Sequence, residues 1–220
     1  VFRLGWPIGL TSLSEVGLFA ASAIMMGWLG TIALAAHGIA LQLASITFML
    51  HLGISNAATV RAGNAYGRRD WPHMARGGRV VLGMSVVCSL ATILVFVVFP
   101  VPLISVFLDP DDPARADIIS AGVILLLLAA IFQLVDGAQV VALGLLRGVQ
   151  DTGIPMVLAA ISYFGLGLPS AYVLGFVLDW GGPGVWSGLV LGLAAAAVLL
   201  NHRFWFKTVP GLDAAPAPAQ

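Results

Sequence analysis

The stretch IISAGVILLLLAAIFQLVDGAQVVALGLL, residues 118–146, carries a single ionisable side chain, Asp136. A helix needs about 20 mostly apolar residues to cross a hydrocarbon core of about 30 Å, and this run is longer than that. It therefore reads as a transmembrane helix with a carboxylate inside it.

Five further runs of the same kind surround it. Spans are expected at Pro7–Trp28, Ala33–Val60, Val80–Val101, Asp117–Leu146, Ile154–Leu178 and Val185–Leu200. The runs are continuously apolar rather than alternating, so they read as helices, which satisfy their own backbone hydrogen bonds in lipid, and not as barrel strands. The fold class is all-α: a polytopic membrane protein of six transmembrane helices, with residues 1–208 forming one six-helix lobe.

Composition agrees with that reading. The 220 residues are 60% hydrophobic and 9% charged, with a mean hydropathy of +1.01 and a net charge of zero. Such a chain lies far outside the soluble globular range, and no basic tract points to nucleic acid as a partner. Cys88, the one cysteine, lies in an apolar run and reads as a small hydrophobe. The chain opens on Val1 with no signal-peptide pattern, as though truncated at its start, and residues 209–220 are expected to form a disordered Ala/Pro-rich cytoplasmic tail.

The basic residues set an orientation. Arg3, Arg61, Arg68, Arg69, Arg76, Arg79, Arg147, Arg203 and Lys207 all fall on one side of a six-span layout, and Arg115 alone falls opposite, among Asp109, Asp111, Asp112 and Asp117. The positive-inside rule then places both ends of the segment in the cytoplasm.

Depth follows from the rise of about 1.5 Å per residue. Glu15 lies about 18 Å above Arg3 on an outward-running helix, and Asp136 about 16 Å above Arg147 on an inward-running one. The two carboxylates share a level near the bilayer midplane, where transporters hold substrates and coupling ions. Charge at that depth is costly, by at least about 2.5 kcal/mol on insertion scales, and ordinarily marks a pathway for ions or protons. Two neighbouring carboxylates in low dielectric do not both ionise cheaply, so the pair reads as a cation-binding site for Na+ or H+. The competing reading for either acid alone is a neutral hydrogen bond between helices.

His51 comes to a similar level, about 15 Å above Arg61, and is a candidate proton-sensitive residue; its alternative is a neutral histidine bonded within the bundle. Ser12 and Phe19 share the helix face of Glu15, and Phe132 and Gln139 flank Asp136, so these four are candidate cavity-lining residues. His37 falls near the outer end of its helix, where a polar tip needs little explanation. No catalytic motif is present, neither HExxH, GxSxG nor a phosphate loop, so no enzyme, cofactor or further metal site is expected.

Five segments, in order, carry a family resemblance: LGWPIGLTSLSEVGLF (Leu4–Phe19), GTIALAAHGIALQLASITFML (Gly30–Leu50), GISNAATVRAGNAYGRRD (Gly53–Asp70), FQLVDGAQVVALGLLRGVQDTGIP (Phe132–Pro155) and YFGLGLPSAYVLG (Tyr163–Gly175). Together they resemble the C-terminal half of multidrug and toxic compound extrusion (MATE) transporters, in the bacterial NorM-like branch. The resemblance implies helices seven to twelve of a two-lobed antiporter that exports organic cations or amphipathic drugs in exchange for Na+ or H+. It implies a bacterial inner-membrane location, an N-terminal six-helix lobe on the same chain, and Glu15 and Asp136 as the cation site of this lobe. Phe132 departs from the pattern, standing where sodium-coupled relatives tend to carry a tyrosine. Gly38 and His51 are further departures, so a proton stays open as coupling ion. Other readings that stay open are a lipid-linked oligosaccharide flippase of the same superfamily, a non-transporting membrane scaffold or remnant, and an oligomeric ion channel. The flippase would favour several arginines in its cavity, and no arginine is expected at membrane depth here.

Overall fold

The computed structural model describes residues 2–210, and every described regular element is helical. The helices are α1 (Phe2–Trp28), α2 (Thr31–Arg68), α3 (Trp71–Val98), α4 (Pro100–Ser105), α5 (Arg115–Gly148), α6 (Gly153–Ala160), α7 (Leu168–Tyr172) and α8 (Gly181–Arg203). π-helical turns at Ile161–Gly167 and Val173–Val177 join α6 and α7 into one fifth span, Gly153–Val177, and a third, Phe204–Thr208, prolongs α8. Six helical segments are thus long and apolar enough to cross a membrane. The tail expected from residue 209 lies outside the described residues, apart from Val209 and Pro210, which are helical.

The helices overrun the apolar stretches that announce them. The third begins at Trp71 rather than Val80, because Asp70 caps it by accepting a hydrogen bond from His73 N at 3.0 Å and Pro72 sits in its first turn. Arg76 and Arg79 consequently lie on a helix and not in a loop. At 38 residues α2 is about 57 Å long, so its ends project well past a bilayer core. Arg69 closes it in the left-handed conformation, φ 57°, while the amides of Arg69 and Asp70 turn back to the carbonyls of Tyr66 and Ala65.

α5 is the central post, packed against α2, α3 and α8. Small residues let the backbones meet. Ser55 Oγ on α2 donates to Val140 O at 2.6 Å and Thr59 Oγ1 to Gly144 O at 2.9 Å. A side chain at Gly148 would press on the Thr59 carbonyl and on Ala62. This is the small-residue packing that replaces hydrophobic driving force within lipid. The fifth span meets α8 in the same way, through Gly184, Gly188 and Gly192: a Cβ on Gly192 would lie 2.7 Å from Gly167 Cα.

Pro169 falls between the two π-helical turns of the fifth span. Proline supplies no N–H, and the wider turns on either side are the local adjustment that accommodates it. On the outside of the bundle Val87, Leu90 and Leu94 of α3 are exposed at helical spacing, a face suited to lipid. The molecule is a multi-pass membrane protein built as a helical lobe.

Candidate functional site

Three helices line an open cavity of about 470 Å³. α1 contributes Ser12, Glu15, Val16 and Phe19; α2 contributes Leu41, Ala44, Ser45, Phe48, Met49 and Leu52; α5 contributes Phe132, Asp136, Val140 and Arg147. On α1 and α5 the spacings are the three, four and seven residues of a single helix face. The volume falls within the range of pockets for drug-sized molecules, and the wall is mostly apolar with a few polar groups.

Glu15 and Asp136 line this one cavity, brought together from helices more than a hundred residues apart in sequence. Asp136 is 2% exposed, and its Oδ1 has no hydrogen-bond partner among the described residues. Leaving a buried polar atom unpaired costs about 1–3 kcal/mol, more when it is charged. An arriving proton or cation removes that cost, so the donor set fits one.

The other sequence candidates divide. Ser12, Phe19 and Phe132 stand on the wall, and the rings of Phe19 and Phe132 meet edge to face at 5.9 Å. Gln139 does not reach the cavity surface; it is fully buried, donates through Nε2 to the Tyr163 hydroxyl, and leaves its own Oε1 unpartnered.

His51 is also fully buried, and it is not among the residues that line the cavity. Its Nδ1 lies 3.0 Å from Ser85 Oγ and its Nε2 3.4 Å from Ser89 Oγ, which itself donates to Gln133 O at 3.1 Å. Because the Ser89 hydrogen is committed, Nε2 carries the imidazole proton and Nδ1 accepts from Ser85, an arrangement that satisfies a neutral ring. Gly137, the neighbour of Asp136, makes room for it: a Cβ there would sit 2.7 Å from His51 Cε1.

His37 is not a polar tip near a helix end but a buried residue, 1% exposed. Trp186 Nε1 donates to its Nδ1 at 3.0 Å, and its Nε2 faces Ser22 Oγ at 3.4 Å.

Sequence reasoning missed two residues. Tyr163, on the fifth span, is fully buried with its hydroxyl against Gln139. Its sign in the sequence was a tyrosine amid an apolar span, but no spacing rule ties it to Glu15.

Arg147 is the second. It was placed at the membrane surface, with no arginine expected at depth, yet it lines the cavity with both carboxylates. Side chains on a helix lean toward its N-terminus, which carries the long guanidinium stem from Arg147 back along α5 toward Asp136.

Relatives of known name share this chain's sequence. It is 50% identical over 204 residues to a probable multidrug resistance protein NorM of Agrobacterium fabrum, covering 93% of this chain and 44% of that protein. It is 48% identical to the probable NorM of Rhizobium meliloti, over 99% of this chain and 46% of that one. A multidrug resistance protein NorM of Burkholderia vietnamiensis is 44% identical over 97% of this chain and 46% of its own length. The chain therefore spans about half the length of the curated relatives it matches.

Solved structures share its fold. A crystal structure of a MATE in the straight conformation superposes with a TM-score of 0.83 at 20% identity, covering 97% of this chain and 46% of that one. The eukaryotic MATE transporter AtDTX14 gives 0.81 at 20% identity, over 96% and 47%. The MatE family model matches residues 7–173, a stretch that holds both carboxylates, Arg147 and Tyr163, and with the NorM relatives it establishes that the chain belongs to the MatE family.

Proposed function

We propose that this chain is the C-terminal six-helix lobe of a multidrug efflux antiporter of the bacterial inner membrane, in which Glu15 and Asp136 bind the coupling cation, Na+ or H+. The observation that carries the reading is the buried, unpartnered Oδ1 of Asp136 in a cavity it shares with Glu15. A carboxylate held that way has a use for a cation and a penalty without one. Gln139 Oε1, also unpartnered, and the Tyr163 hydroxyl lie close by and add neutral oxygens of the kind a sodium ion takes; a proton needs only the carboxylates.

The apolar wall of Phe19, Phe48 and Phe132 suits organic cations or amphipathic drugs, and the NorM relatives bear the name of multidrug resistance proteins. No bond is made or broken in this reading. The other lobe is expected on the same chain, since alternating access rocks two halves about a central site and the match covers about half of each relative. Both ends of the segment face the cytoplasm, as the basic residues favour.

The flippase reading is not favoured. It calls for several arginines in the cavity, and Arg147 is the one among the lining residues.

The test is efflux of a cationic dye from proteoliposomes of the complete transporter, with an imposed Na+ or H+ gradient. Dye movement driven by one gradient and lost in Glu15→Gln supports the assignment. Gradient-driven efflux of wild-type size in that variant would remove Glu15 from it.

A further inference from the structure

Between Glu15 and Asp109 the chain carries one acid, Asp70, against five arginines, Arg61, Arg68, Arg69, Arg76 and Arg79, all near the turn from α2 into α3. Asp70 commits its Oδ1 to the first turn of α3, through His73 N. The other acids are held elsewhere: Asp109, Asp111, Asp112, Asp117 and Asp179 toward the opposite end of the helices, Glu15 and Asp136 on the cavity. Asp151 is gripped by Arg203, through Nε at 2.6 Å and Nη2 at 3.0 Å. Among the described residues that pair is the one salt bridge, so none of the five arginines has an acidic partner.

Arg61 reaches from α2 over the bare backbone of α3: a Cβ on Gly77 would lie 3.7 Å from its Nε and 4.0 Å from its Nη2. His73, four residues before Gly77 and so on the same side of α3, borders the crevice with it. His73, Arg76, Val80, Met84 and Val87 then follow one another at steps of three and four residues, which is a single helix face. Arg76 and the three apolar residues are exposed, and α3 gives no residue to the cavity about which a second lobe would move. From Arg76 to Val87 the face runs about 17 Å, basic toward the end of the bundle and apolar toward its middle. Tyr66 and Trp71, whose rings meet at 6.0 Å, lie at the same end, where such side chains sit among lipid headgroups.

We propose that Arg61, His73 and Arg76 bind the phosphodiester of an anionic phospholipid whose acyl chains lie along Val80, Met84 and Val87. A guanidinium offers a planar fork of N–H donors that matches phosphate oxygens, and basic residues beside a membrane span draw anionic headgroups. A soluble anion would answer the charge alone; a lipid answers the charge and the apolar face below it. The site is separate from the cavity and holds whether or not the efflux reading does.

Native mass spectrometry of the complete transporter containing this chain counts the lipids it retains when titrated with phosphatidylglycerol or with phosphatidylcholine of the same acyl chains. The wild type is expected to hold phosphatidylglycerol at least tenfold more tightly. Arg61→Gln combined with Arg76→Gln should lose one tightly held phosphatidylglycerol and leave phosphatidylcholine binding within about twofold, which also shows that the variant is folded. Arg68→Gln combined with Lys207→Gln removes the same charge from the same end of the bundle, away from the α3 face, and should keep that lipid.

An Arg61→Gln, Arg76→Gln variant that retains as many phosphatidylglycerol molecules as the wild type overturns the assignment. So does an equal loss in the Arg68→Gln, Lys207→Gln variant, which would reduce the effect to the general field of that end. Displacement of the lipid by inorganic phosphate at the same concentration would make the occupant a free anion and overturn the lipid as its source. None of these outcomes touches the efflux reading, which is tested by gradient-driven dye movement.

Discussion

Trp186 on α8 donates its indole N–H to His37 Nδ1 on α2 at 3.0 Å, and the same indole meets Phe132 edge to face at 5.8 Å. Phe132 in turn touches Phe19, so a line of rings joins a buried histidine to the wall of the cavity. Accepting from Trp186 fixes the His37 proton on Nε2, directed at Ser22 on α1. Three helices are tied by one imidazole.

Trp186→Phe keeps most of the ring but leaves His37 Nδ1 without its donor. Stability of the solubilised protein is expected to fall by about 1–2 kcal/mol, read from thermal unfolding. His37→Leu in the same background should add less than it costs alone, because the Trp186 bond is already gone and only the 3.4 Å contact with Ser22 is left to lose; fully additive losses would show that the two residues act separately.

Gly188 lies so close to the fifth span that a Cβ would fall on the backbone of Ala171, whereas Gly83 on α3 has nothing within 4 Å of such an atom. Gly188→Ala is expected to cost about 3 kcal/mol or to abolish the folded protein, and Gly83→Ala to change stability by less than about 0.5 kcal/mol. Membrane yield and unfolding temperature of the two variants compare them directly.

His51→Leu separates packing from ion handling. Ser85 and Ser89 lose their ring partner, so stability should drop by about 1–3 kcal/mol. Because the ring is no part of the cavity wall, the dependence of efflux on ion concentration should stay as in the wild type. A shifted ion dependence at unchanged stability would bring His51 back as a proton-sensitive residue.

Tyr163→Phe removes a hydroxyl beside Gln139 while preserving ring volume. If that oxygen helps to hold the coupling ion, the ion concentration for half-maximal efflux should rise about tenfold, equivalent to about 1.4 kcal/mol. An unchanged value would confine the hydroxyl to orienting Gln139.

How much of this could be read in the chain has a geometric explanation. Hydropathy and helical rise give the number of spans and the height of a residue within each, and these brought out six helices and the pair Glu15 and Asp136. Height says nothing of rotation about the bundle axis. His51 shares the level of the carboxylates but faces α3, and Gln139, three residues from Asp136, turns inward to Tyr163, which reaches it from a helix whose register no spacing rule fixes. Arg147 escaped for another reason: backbone rise measures Cα positions, and an arginine stem leaning along its helix brings its charge back toward depths the backbone has left. The helix ends extended past the apolar runs because caps such as Asp70, rather than hydrophobicity, decide where a helix begins.

The claim that Asp136 binds the coupling cation is tested most directly by Asp136→Asn in the complete transporter, reconstituted at wild-type levels and assayed for dye efflux under an imposed Na+ or H+ gradient. Asparagine keeps the side-chain shape and lacks the charge, so insertion and folding should persist while gradient-driven efflux disappears. Efflux that continues at the wild-type rate and still follows the ion gradient would contradict the account.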